Sequence, residues 1–216
     1  MTDQGDPLTR RHDYASDPVM RRRTKLAPDP NVRRAIVAAA TKTICEQGVQ
    51  GLSIAAVLDR ARLSTRAFYR HFESKDELVA AVFLEATRNE VLRLKARMAT
   101  AADPTAAVAA WIEGRLDLAY DEDISSSPEL ASPVHSAILG PLIEQLQRGL
   151  ELGAFHDIVP AIAAKSIHGV VWSHTQRQWA TGQWERADVR NRALRFCLRG
   201  LGVAPESIAQ FVASSG

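Results

Sequence analysis

Between residues 53 and 75 the chain carries a run of side chains able to grip a polyanion: Ser53, Ser64, Thr65, Arg66, Tyr69, Arg70, His71 and Lys75. Within Thr65 to His71, a helical arrangement turns Ala67, Phe68 and the following Phe72 inward. Thr65, Arg66, Tyr69, Arg70 and His71 then offer hydrogen-bonding groups outward. A slim helix with such a face suits base-pair edges in the DNA major groove. Arginine makes a bidentate contact with guanine O6 and N7, and threonine packs on a thymine methyl or bonds a base edge. Tyr69, His71 and Lys75 are better placed for phosphates, as are the free amides of helix N-termini near Ser53 or Lys75.

Such a reading head needs a frame. Apolar positions Val32, Ala35, Ile36, Ala39, Ala40, Thr43 and Ile44 form a helical stripe that opens after Pro28 and Pro30. Gly48 stands where a helix C-terminal glycine belongs. Ser53 is the expected N-cap of a short helix over Ile54 to about Arg60, and Ser64 of another over Thr65 to His71. Ser74 with Glu77 forms a capping box that opens a long helix from Lys75 to about Thr100. Two short helices and a tight turn behind a longer first helix are the layout of a helix-turn-helix.

The stretch from Gly51 to Leu78 closely resembles the DNA-binding signature of the tetracycline-repressor (TetR) family. Phe68-Tyr69-Arg70-His71-Phe72, then Ser74-Lys75-Asp76-Glu77-Leu78, is its most distinctive part. The resemblance implies phosphate contacts by Tyr69, His71 and Lys75, with Thr65, Arg66 and Arg70 near bases. It also implies a homodimer on double-stranded operator DNA, often a repressor, released when a small molecule enters the C-terminal domain. One position departs from it. The family commonly has glycine in the turn between the short helices, where this chain has Arg62. Either the turn differs, or Arg62 accepts a left-handed backbone at about 1–2 kcal/mol.

The expected fold is all-α. Residues 1–29 read as a disordered basic arm, with Arg10, Arg11, Arg21, Arg22, Arg23 and Lys25 either contacting phosphates or a minor groove or serving only as a solubilising leader. Residues 30–76 read as the three-helix DNA-binding domain, and residues 77–216 as a helical ligand-binding and dimerisation domain. Charge agrees: Met1 to Ala80 carries 14 Lys+Arg against 10 Asp+Glu, and the remainder 13 against 15. Further helices are expected from Pro104 to about Tyr120, across Glu129 to Phe155, over Ile158 to Thr181 and over Arg186 to Leu201. A mobile acidic loop should span Asp121 to Pro128.

A single short helix reads too few base pairs, so two-fold symmetry is expected. Candidate interface residues are Ile167, Val170, Val171 and His174 on one late helix and Leu194, Cys197, Leu198 and Leu201 on the last. Trp111, Arg115, Leu118, Leu142, Leu146, His168 and Trp172 are candidates to line a pocket for a small apolar or amphipathic effector.

Other chemistry finds little support. His168 and His174 lie six apart and face different sides of a helix, so they make no metal pair. No nucleophile elbow, P-loop or dinucleotide fingerprint occurs, and no cofactor or enzymatic activity is expected. Cys45 and Cys197 read as buried or half-buried thiols in a reducing cytoplasm. No stretch is long and apolar enough to span a membrane, so cytoplasmic is the default. The rival reading is a helical adaptor of the same fold that binds protein rather than DNA.

Overall fold

The computed structural model describes residues 29–121 and 136–213. Most of the arm, much of the acidic loop and the short helical piece expected after Glu129 lie outside these residues. Every regular element described is helical. In order they are α1 (Pro30–Gly51), α2 (Ile54–Ala61), α3 (Thr65–Phe68), α4 (Lys75–Met98) and α5 (Pro104–Leu116). A 3-10 turn (Asp117–Tyr120) follows, then α6 (Ser136–Glu151), α7 (Pro160–Thr181), α8 (Arg186–Gly200) and α9 (Pro205–Ala213).

The helix starts follow local chemistry. Asp29, Ser53, Ser64, Ser74 and Asp103 each accept a hydrogen bond from a backbone amide two or three residues ahead. Proline occupies the first position of α1, α5 and α7, where its missing N–H costs nothing. That is why α7 begins at Pro160 rather than Ile158. Gly48 has φ +70° and ψ 170° and breaks the regular geometry near the end of α1, a positive-φ extended conformation that glycine alone adopts readily rather than the left-handed cap expected of it.

Two cores form, and α4 belongs to both. Leu78, Ala81 and Val82 of α4 join Ile36, Ile44, Val57, Leu58, Phe68 and Phe72 in the first. Leu94 and Met98, further along the same helix, join Trp111, Ile112, Leu142, Leu146, Val171 and Leu194 in the second. One helix is thus anchored in both cores. The first core continues to Val82, past the residue 76/77 boundary drawn from sequence.

Helix α9 was not expected. It packs Ile208 into the second core, with Phe211 and Val212 against it, and it lies against α8. Pro205 at its start and the spacing of those three residues are its sequence signal.

Candidate nucleic-acid interface

The turn between α2 and α3 is made by Arg62, which adopts φ 54°, ψ 45°. Of the two possibilities left open by the sequence, the chain takes the strained one: the residue is left-handed. The turn closes as a Schellman motif, because the Leu63 amide donates to the Leu58 carbonyl five residues back, at 3.0 Å. Arg62→Gly should therefore raise the free energy of unfolding by about 0.5–1 kcal/mol, since relief of left-handed strain exceeds the added freedom of the unfolded chain. Urea denaturation checks this, and a net loss of stability would contradict it.

From that turn α3 emerges with its inner face fixed. Phe68 is fully buried and Phe72 nearly so, their centroids 5.7 Å apart. Tyr69 stands edge-on to Phe68 at 5.2 Å, yet leaves 60% of its surface in solvent. The ring is held by its base while its hydroxyl stays available. Ser53, Ser64, Thr65, Arg66 and Arg70 are exposed, and His71 and Lys75 half-buried.

Regular α-helix ends at Phe68, one turn short of the expected His71. The chain tightens there: Arg70 donates to the Ala67 carbonyl and His71 to the Phe68 carbonyl, both three residues back. This winding brings Phe72 into the core and lets Ser74 start α4 two residues later. The capping box is also modified. Ser74 accepts from the Glu77 amide at 3.1 Å, but the Glu77 carboxylate accepts from the Glu73 amide at 2.6 Å rather than from Ser74.

Two arginines of this unit were not singled out from sequence. Arg60 spends its guanidinium on both carboxylate oxygens of Glu46, tying α2 to α1. Arg33 lies over the Phe72 ring, its guanidinium carbon 5.0 Å from the ring centroid. Pairings of this kind depend on which helices meet, and residue spacing within one helix does not reveal them.

In the C-terminal unit, Trp111, Arg115, Leu118, Leu142, Leu146 and His168 are buried and Trp172 is half-buried. Trp111, Leu142 and Leu146 belong to the second core. Trp111 donates to the Ile138 carbonyl at 3.2 Å and meets His168 edge-on, and His168 stacks with Trp172. Arg115 is 1% exposed and forms an ion pair with Glu90 of α4, a partner the sequence did not suggest. Its Nε–H has no hydrogen-bond partner among the described residues.

An apolar cleft of about 350 Å³ lies between α7 and α8. Ile167, Val170, Cys197 and Leu201 line it, with Ile162 and Phe196 at its edge. Ile162 and Phe196 are 63% and 67% exposed, which is unusual for such large apolar side chains. Val171, Leu194 and Leu198 are buried in the chain's own core, and His174 packs against Trp184 at 5.4 Å. Burial pushes the Cys197 thiol up to about 12, so it stays protonated at neutral pH. Cys45 is half-buried.

Comparison with known proteins places this geometry. Residues 36–82 match the family model described as bacterial regulatory proteins, tetR family. Among solved structures, the fatty acid degradation regulator FadR from Bacillus halodurans is 18% identical, with a TM-score of 0.64 over 82% of this chain and 99% of that one. FadR from Bacillus subtilis in complex with stearoyl-CoA is 17% identical, with a TM-score of 0.63 over 77% of this chain and 98% of that one. SmeT in complex with triclosan is 22% identical, with a TM-score of 0.60 over 79% and 91%. At these identities the likeness concerns the fold. No curated protein matches the chain significantly.

Proposed function

We propose, from the match of residues 36–82 to the tetR family of bacterial regulatory proteins, that the chain is a TetR-family repressor acting as a homodimer on a palindromic operator. The carrying observation is the outer face of α3 and the turn after it. Phe68 and Phe72 fix the segment from within, while Thr65, Arg66, Tyr69 and Arg70 are left to solvent. In this reading Arg66 and Arg70 contact bases with Thr65, and Tyr69, His71 and Lys75 hold phosphates. Ser53 and Ser64 offer the helix starts to the backbone of the DNA. Its role is regulatory rather than catalytic, and it works in the cytoplasm where the DNA is.

The apolar cleft between α7 and α8 supports the dimer. Exposed Ile162 and Phe196 beside half-buried Val170 are the surface a second copy would cover. Of the interface candidates, Ile167, Val170, Cys197 and Leu201 lie on that cleft. The effector reading rests on the mostly apolar interior around Trp111, Leu118, Leu142, Leu146, His168 and Trp172, with Arg115 as its charged member. Two structural neighbours were captured with stearoyl-CoA and triclosan, and a small apolar or amphipathic molecule is the corresponding ligand here. Because α4 spans both cores, rearrangement around Arg115 would tilt the DNA-binding unit.

Selection of bound duplexes from a random DNA pool tests the proposal. The expected product is a palindrome whose half-sites repeat at one helical turn or a multiple of it. An adaptor that binds protein would enrich no sequence.

A further inference from the structure

We propose that Arg33, in the first turn of α1, is a further phosphate-contacting residue, held in position by the ring of Phe72. The inference rests on the DNA-binding reading above and extends the contact surface from the helix-turn-helix onto α1. Phe72 is 1% exposed and fixed in the N-terminal core, so its ring is a rigid platform. The Arg33 guanidinium lies over that ring at 5.0 Å while its residue remains exposed. Attraction of a cation to a ring face uses none of the guanidinium N–H groups as hydrogen-bond donors, so they remain available to a phosphate.

Two other arginines of α1 and α2 are committed. Arg60 is bound to Glu46, and Arg34 donates to the Asn31 side chain. Arg33 has no carboxylate partner among the described residues. Of the neighbouring acids, Asp29 accepts from the Asn31 amide, Glu77 from the Glu73 amide, Glu46 pairs with Arg60 and Glu85 with Arg88. Phe72 directly follows His71 and precedes Lys75 by three residues. Through Phe72, Arg33 is held against the segment that carries His71 and Lys75, the groups already assigned to phosphates. Stacking also lowers the entropy that a long side chain loses on contact, which is the cost that weakens most surface ion pairs.

The test measures affinity of the full chain for the selected duplex across a salt series. Each phosphate contact contributes about 0.9 to the slope of log affinity against log salt, or close to tenfold in affinity at about 0.1 M salt. Arg33→Gln should lower the slope by about 0.9 per bound protomer and weaken matched and mismatched duplexes equally. Arg33→Lys should keep the slope, and both variants should melt near the wild-type temperature because the residue is exposed. A wild-type slope in Arg33→Gln, alongside a steep wild-type dependence, overturns the proposal and leaves the DNA-binding reading standing. A wild type without salt-dependent binding overturns both.

Discussion

Replacing Glu90 by alanine should lower the free energy of unfolding by about 3–5 kcal/mol, more than any surface change in the molecule. The reason is the partner left behind. Arg115 is 1% exposed and its charge is matched by Glu90 across the α4–α5 contact. Without that carboxylate the guanidinium stays charged in the interior, because arginine does not deprotonate in proteins. Its Nε–H already lacks a partner, so no neighbouring acceptor stands ready to compensate.

A double replacement separates charge from packing. Glu90→Leu with Arg115→Met removes both ions and keeps volume, and should recover most of the loss. Urea denaturation of the single and double variants decides between the causes. If Glu90→Ala costs under about 1 kcal/mol, the pair is effectively solvated and does not fasten α4 to the second core.

The second large effect concerns recognition and leaves the fold intact. Arg66→Ala and Arg70→Ala should each weaken binding to the selected operator by about 1–3 kcal/mol per half-site and relax preference at one base pair. Both side chains are exposed, so melting temperature should hardly move. Lys75→Gln should behave differently. Loss of a phosphate contact weakens all sequences alike and lowers the salt slope. Affinities for matched and singly mismatched duplexes separate the two classes. Equal losses on matched and mismatched DNA for Arg70→Ala would place that residue on the backbone rather than on a base.

What could be read from the sequence was whatever neighbours in the chain decide. Ser53, Ser64, Ser74 and Asp103 announce helix starts because a cap needs only a short side chain and an amide within three residues. Phe68 and Phe72 announce an inner face because helical spacing is local. Arg62 could be identified as an anomaly, though only the backbone shows that it is left-handed.

The features that escaped are those set by meetings between helices. Glu90 and Arg115 are 25 residues apart, and no period in the chain connects them. Arg33 and Phe72 meet only because α1 packs on the segment entering α4. The apolar late helices carry the same ambiguity. Leu194 and Leu198 face the chain's own core, while Phe196 between them faces solvent, and composition alone does not tell an inner stripe from an outer one. The early end of α3 has a similar origin. The regular helix yields at Phe68 because Phe72 must reach a core whose position is fixed by α1 and α4.

The central claim is that the outer face of the α3 segment holds operator DNA, and titration of the full chain with the selected duplex at rising salt tests it most directly. The expected result is an affinity that falls linearly in log–log form, with a slope of about −2 or steeper from the Lys75 phosphate contacts of two bound protomers. That affinity should be markedly higher than for a scrambled duplex at every salt concentration. Binding that is flat in salt, or identical on the two duplexes, would contradict it.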